Sequence, residues 1–293
     1  MESSTRYRLT FWRGLFLLLM ALGLTSAVLR FTQGLGAVTN LSDRYPWGLW
    51  VGFDVLCGVG LAAGGFVITA VVEIFHLKRF KPIVRPAILT AFLGYLLVVV
   101  ALMFDLGKPW NIWHPLIMWN PRSVMFEVAW CVTLYTTVLT LEFSGMVFER
   151  VGWTRAARIQ HMVTIPLVIA GVILSTLHQS SLGSLYLIVP GKLHALWYTP
   201  LLPVLFFVSA VGVGLAMVIV ESRLSARAFQ RQLETPLLRS LGRALIPVLL
   251  LYGLLRLGDL AWRGVLGELL RPSYESALFL VESARQRRRG LTR

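Results

Sequence analysis

Ala87–Leu106 reads AILTAFLGYLLVVVALMFDL, twenty residues with a single acid, Asp105, and no base. About 20 consecutive apolar residues in a helix cross the roughly 30 Å hydrocarbon core of a bilayer. Comparable runs occupy 11–31, 49–74, 123–145, 161–181, 200–221 and 241–262, and an eighth begins near 274. The segments between them carry charges and breakers: SDRYPWG, KRFKPIVRP, GKPWNIWHPLIMWNPR, ERVGWTRAAR and ESRLSARAFQRQLETP. Lipid cannot satisfy an open strand edge, so every span is expected to be helical. The reading is an all-α polytopic transmembrane bundle over 11–282, with about seven full spans plus the start of an eighth. Residues 1–10 form the N-terminal segment and 283–293 a basic tail.

Composition supports lipid as the solvent. The 293 residues are 56% apolar and 14% charged, against roughly 25% charged in a soluble domain. The net charge of +14 would suggest nucleic acid in a soluble chain. Here the bases sit between apolar runs, so no nucleic-acid partner is expected. The N-terminus and the segments after the second, fourth and sixth runs, counted with Arg13 and Arg243 in the flanking turns, hold 15 Lys and Arg, against 7 on the opposite side with Arg30 included. Positive-inside logic puts the N-terminus in the cytoplasm. Trp47, Trp50, Trp110, Trp113, Trp119, Trp197 and Trp262 fall on or near the outer side, as an interfacial belt or a docking face. The first run lacks a small-x-small cleavage site, so no cleavable signal is read. Cys57 and Cys131 lie inside apolar runs and support neither a disulfide framework nor an iron–sulfur cluster. Ser273–Glu282 gives only about ten residues before SARQRRRGLTR, half a span. An outer tail bearing Arg285, Arg287, Arg288, Arg289 and Arg293 would oppose the charge rule, so a shortened eighth helix or a departure of the reading frame is expected.

Ionisable groups inside lipid cost roughly 2.5–3.5 kcal/mol each on insertion scales, so each needs a reason. Asp54, Asp105, Glu127, His178 with Gln179, and Arg256 with Asp259 are expected to share one outer-leaflet layer on five helices. Alternatives stand beside each: an ion pair of Asp54 with Arg256, a loop contact of Asp105 near Lys108, capping of the fourth helix by Glu127, a packing role for His178. For Arg256 and Asp259, a mutual pair on one helix face competes with ligand contact. Trp50, Asp54 and Gly58 follow at i, i+4, i+8, and Gly58/Ala62 and Gly60/Gly64 supply small-xxx-small spacing for close helix approach. A membrane b-type haem usually needs two histidines on facing helices. His76, His114, His161 and His194 lie at boundaries or in loops and only His178 is embedded, so no haem is expected. Acids, a histidine and aromatics at one depth suit quinone chemistry, which requires hydrogen bonds to carbonyls and carriers for protons. No metal site is expected.

The stretches RYPWGLWVGFDVLCGVGLAAGGF, RPAILTAFLGYLLVVVALMFDLGKPWN, NPRSVMFEVAWCVTLY, LEFSGMVFERVGW and STLHQSSLGSLYL resemble the NrfD/polysulfide-reductase membrane-subunit family. Within it the chain looks most like the quinone-reactive "cytochrome b" subunit of periplasm-facing Ni/Fe hydrogenases. The likeness covers about residues 30–282. It implies a haem-free subunit of the bacterial inner membrane, non-catalytic alone, with menaquinone or ubiquinone as bound substrate. It also implies a periplasmic ferredoxin-like iron–sulfur partner beside a hydrogenase or similar catalytic subunit. Carried over by motif, His178 and Glu127 are expected to bind and protonate quinone. Asp54 and Asp105 are relay candidates, Trp47 and Trp50 line an entrance, and Gln179, Arg256 and Asp259 are further contacts. An ion or solute transporter and an inert membrane anchor are the competing readings. Glu73 and Glu142, near inner helix ends, are candidates for a proton route to the cytoplasm, with capping as the alternative.

Overall fold

The computed structural model describes residues 10–42, 51–189, 191, 193–230, 232 and 234–291, and the side chains among them except those of Asp54 and residues 284–291. Among the described residues, seven helices are long and apolar enough to cross a membrane. They are α1 (Phe11–Gln33), α2 (Val55–Ile74), α3 (Lys78–Asp105), α4 (Val124–Val151), α5 (Thr154–Leu187), α6 (Leu202–Ala228) and α7 (Thr235–Trp262). A shorter helix, α8 (Tyr274–Leu291), follows. The all-helical architecture and the seven runs agree with the sequence reading. The helix near 274 passes through position 283 instead of ending there.

The helices are longer than the apolar runs. The fourth run, read to 145, continues to Val151, where Gly152 takes a left-handed φ of 80° and stops it. Such a cap costs glycine nothing sterically. Only Gly152 and Trp153 separate α4 from α5, which begins at Thr154 rather than 161. ERVGWTRAAR is therefore mostly helix. Its charges extend the helices beyond the lipid, and Glu149 there pairs with Arg85 at 2.6 Å and with His161 at 3.2 Å.

The second span is the hub. Two thirds of its most apolar window (67%) is buried, against 6% for α1. Its backbone is irregular: Gly52–Gly58 and Ala70–Ile74 are π-helical, with α-helical turns at Val59–Ala62 and Gly64–Thr69 between them. Non-standard backbone at membrane depth is tolerated where protein covers it, and π-turns recur at functional sites. Small residues allow the crowding. A methyl on Gly64 would lie 2.9 Å from the Gly214 carbonyl oxygen of α6, and one on Gly65 2.5 Å from the Ala91 Cβ of α3. Gly58 abuts Val98, but nothing approaches Gly60 within 4 Å. Of the expected Gly60/Gly64 pair only Gly64 makes a close approach, with Gly65 beside it, whereas Gly58 and Ala62 both meet α3, at Val98 and Gly94.

In α1, Arg30 is the buried residue. Its Nε donates to the Phe104 carbonyl at 2.7 Å, and Nη2 donates to the carbonyls of Met103 and Leu106. A helix leaves its last four carbonyls without intrahelical donors. Arg30 supplies them at the end of α3, which ties the otherwise lipid-facing α1 to the bundle.

Candidate functional site

The polar residues expected in one layer separate into two clusters with different partners. One lies where α3, α4 and α5 meet. His178 of α5 is fully buried, and its Nδ1 is 2.8 Å from the hydroxyl of Tyr95 on α3. Tyr95 lies ten residues before Asp105, or about 15 Å along the helix. The histidine is therefore well inside the end of α3, and the Asp105 side chain belongs to another level. The Tyr95 ring meets Tyr135 of α4 edge-on at 4.6 Å and His178 at 5.7 Å. Tyr95, Tyr135, Ser175 and His178 are each 0–1% exposed.

The hydrogen bonding around His178 is incomplete. Nε2 of His178, the Tyr135 hydroxyl and the Ser175 hydroxyl are all buried and make no hydrogen bond of ordinary geometry among the described residues. Buried polar groups in native proteins are nearly always paired, so three orphans on two adjoining helices call for an occupant. With the Tyr95 hydroxyl donating to Nδ1, the neutral imidazole carries its proton on Nε2, a donor that meets no acceptor among the described residues.

Glu127 stands one turn nearer the rim. It lies in the first turn of α4, where its backbone N–H donates to the Ser123 carbonyl at 3.1 Å. Ser123 supplies the cap, accepting from the Phe126 N–H. The Glu127 side chain is exposed on the chain surface and accepts from the buried Ser181 hydroxyl at 2.6 Å. Ser181 is three residues from His178, so α5 joins the rim carboxylate to the buried imidazole. Gln179 is 2% exposed and points the other way, donating to the Val59 carbonyl of α2 at 3.5 Å. There the helix has turned its Ala63 N–H to Gly60.

The second group closes the outer end of α7. Arg256 and Asp259 do not pair with each other. Arg256 reaches Glu282 of α8 at 2.7 and 3.2 Å and lies 4.4 Å over the Phe279 ring. Asp259 accepts from Thr199 at 2.6 Å and from Nε of Arg263, one turn on, at 2.9 Å, with Nη2 of Arg263 in ionic contact at 2.8 Å. Arg263 also donates to the carbonyls of Ala195 and Tyr198, and Trp197 donates to Glu282 at 3.1 Å. Every charge there has a partner. An apolar groove of about 640 Å³, lined by Leu201, Leu254, Gly258, Trp262 and the Asp259–Arg263 pair, opens beside it. It suits a lipid or isoprenoid chain, but its carboxylate is already saturated.

These contacts correct one expectation: the i, i+3 pair of Arg256 and Asp259 is replaced by Glu282 and Arg263. The expected pairing of Arg256 with Asp54 lies outside the described side chains. Asp105 is the last residue of α3 and is partly buried. Asp54 lies in the first π-helical turn, its side chain outside the described residues, as Trp47 and Trp50 are altogether. The sequence reading did not single out Tyr95, Tyr135 or Ser181. A signal was present, because tyrosines favour the ends of spans and these two stand in the middle of theirs. Among the described residues no group of three or more His, Cys, Asp or Glu is placed to hold a metal ion.

Comparison with known proteins puts this geometry in a family. The chain is 50% identical over 218 residues to a Nitratidesulfovibrio vulgaris protein, covering 74% of this chain and 56% of that one. It is 34% identical over 260 residues to the probable Ni/Fe-hydrogenase 2 b-type cytochrome subunit of Escherichia coli, covering 87% and 66%. It is 29% identical over 263 residues to the integral membrane subunit of menaquinone reductase of Nitratidesulfovibrio vulgaris, covering 86% and 62%. The chain thus spans between half and two thirds of the length of these relatives. No solved structure matches it significantly. Residues 37–284, which include both polar groups, match the family described as Polysulphide reductase, NrfD, and the chain belongs to that family.

Proposed function

We propose that this chain is the quinone-reactive membrane subunit of a respiratory oxidoreductase, of the kind that serves a Ni/Fe hydrogenase. The observation that carries the reading is the unpaired Nε2 of the fully buried His178. A quinone carbonyl accepts hydrogen bonds and needs one donor fixed in a dry site. His178, its tautomer set by Tyr95, is such a donor. Glu127, joined to it through Ser181, is an acid at the lipid rim, in position to exchange protons beside the headgroup. Reduction of the quinone takes two electrons from a docked iron–sulfur subunit and two protons through these side chains. Two relatives carry names that fit, one a hydrogenase subunit and one a menaquinone reductase subunit. Menaquinone is therefore the quinone class to test first.

The donor set favours quinone over haem. Among the described residues His178 is the one buried histidine, and its Nδ1 is engaged by Tyr95. Transport through the bundle is less well supported, since transporters hold their acids at the midplane on broken helices and Glu127 sits at a helix end. An inert anchor leaves the orphaned donor without a role.

The direct test is purification of the complex in mild detergent, lipid extraction for quinone, and titration with a tight-binding quinone analogue. His178→Ala is expected to weaken the analogue at least tenfold, since losing one buried hydrogen bond costs about 1–3 kcal/mol. Equal binding by the parent and the variant would remove His178 from the site. Orientation has its own test on a cysteine-free background. A cysteine within 108–122 should react with an impermeant maleimide from the periplasm, and one within 223–230 should not. The reverse pattern would put the basic ends outside, with the N-terminus.

A further inference from the structure

The groove beside the Asp259–Arg263 pair is a notch in the lipid-facing side of a membrane span. Leu254, Gly258 and Trp262 follow at i, i+4 and i+8 on α7, so they stack along one stripe of the helix. Leu254 is 70% and Trp262 91% exposed, and a methyl built on Gly258 between them would meet nothing within 4 Å. Pro200 and Leu201, at the start of α6, form the facing wall. The stripe runs on to Leu250, one turn before Leu254, and borders Leu257, both of them exposed. The groove is therefore continuous with the apolar surface that the bilayer covers.

Three features select its occupant. The polar atoms at the rim are engaged already: Asp259 by Thr199 and Arg263, and Arg263 by Asp259 and the carbonyls of Ala195 and Tyr198. Shape and dispersion are left to hold whatever enters. A second helix fits poorly. Helices pair in lipid through small residues one turn apart, whereas Gly258 has Leu254 and Trp262 one turn to either side. A notch one residue long between bulky side chains takes a hydrocarbon chain and not a helix backbone. Finally, the groove is shut off from His178. A methyl on Gly183 of α5 would lie 2.5 Å from the Leu202 carbonyl oxygen and 2.7 Å from the Pro203 Cα. The start of α6 is thus pressed against α5 five residues from His178, and this contact separates a quinone bound at His178 from the groove.

We infer that the groove is a site for one phospholipid acyl chain, selected by shape and indifferent to the headgroup, which seals the flank of the Asp259–Arg263 pair. Sites for a single ligand run from about 300 to 1,000 Å³, so a groove of about 640 Å³ admits one chain. A chain lying there keeps water from the pair, and opposite charges attract more strongly as the local dielectric falls. The inference stands apart from the quinone reading, since it uses none of the side chains around His178.

The test places the intact complex in vesicles of phosphatidylethanolamine or of phosphatidylglycerol, each doped with the same lipid carrying a photoactivatable diazirine on one acyl chain. Labelled positions are mapped after illumination by peptide mass spectrometry. Label on Leu201, Leu254 and Leu255 should exceed that on Leu250 and Leu257 at least about fivefold, equally for both headgroups. Gly258→Leu fills the notch and should bring the two sets within about twofold, with quinone and artificial-dye reduction at the parent rates. Trp262→Ala opens one end of the notch and should at least halve the excess, so the test survives if Gly258→Leu does not assemble. Delipidation in detergent should lower the unfolding temperature of the parent more than that of Gly258→Leu, which carries its own filler; an equal drop would overturn the sealing role. Even labelling of groove and open positions in the parent would overturn the site itself, as would label from one headgroup alone. Cross-linked peptides of a partner subunit in place of lipid label would make the groove a helix seat. Loss of label on adding menaquinone would make it an isoprenoid site, and either result would overturn the inference.

Discussion

Two clusters of buried polar side chains sit in this bundle, and they differ in bookkeeping rather than burial. Around Arg256 and Asp259 each charge meets an opposite charge or a carbonyl. Around His178 the groups are neutral, and three of their polar atoms meet no hydrogen-bond partner among the described residues. A saturated cluster of charges in a low dielectric is a joint: breaking it strands a charge, and a ligand finds no free valence. A half-saturated cluster of neutral donors is costly unless something completes it. The contrast assigns structure to the first and chemistry to the second, although the sequence alone made both look like ligand sites.

The joint should fail most severely. Asp259→Ala leaves Arg263 without its carboxylate, and removing one partner of a buried pair costs about 3–5 kcal/mol. The yield of assembled complex and its unfolding temperature should fall sharply, with quinone turnover per assembled complex unchanged. A variant with full yield and lost turnover would make the outer cluster a ligand site after all. Arg256→Ala should act in the same direction more weakly, because Glu282 keeps 40% exposure and can be solvated.

Tyr95→Phe sharpens the comparison from the other side. It removes the bond that fixes the His178 tautomer and leaves the ring packing on Tyr135. Quinone turnover should drop about tenfold, for a net bond of about 1–1.5 kcal/mol, with assembly near the parent level. A variant that assembles poorly and turns over normally would make the tyrosine a packing residue. The smallest effect is expected at Ser175. Ser175→Ala deletes an unsatisfied hydroxyl, so thermal stability should stay within about 0.5 kcal/mol of the parent or rise. A loss above about 2 kcal/mol would mean that the hydroxyl is bonded, and the His178 cluster would then resemble the outer one.

The spans were legible because lipid thickness sets the length of an apolar run. Their ends were not, because Arg150 and Arg155 continue helices into water where hydropathy no longer reports on them. His178 and Gln179 stood out as polar residues in an apolar run. Tyr95 and Tyr135 did not, since a tyrosine counts as apolar until its hydroxyl is placed. The true partners of Arg256 and Asp259 were hidden for a different reason. Glu282 is 26 residues away on α8, and Arg263 lies just past the end of α7. The helical repeat within the span offered only the i, i+3 neighbour, and geometry chose i+4 and a second helix.

The central claim is that His178 holds a quinone and not merely a neighbouring helix. Its most direct measurement is the ratio of quinone reduction to artificial-dye reduction in purified, assembled complexes of the parent and His178→Ala. The account predicts that the ratio falls at least tenfold while the amount of assembled complex stays near that of the parent. An unchanged ratio, with or without a loss of assembled complex, would contradict it.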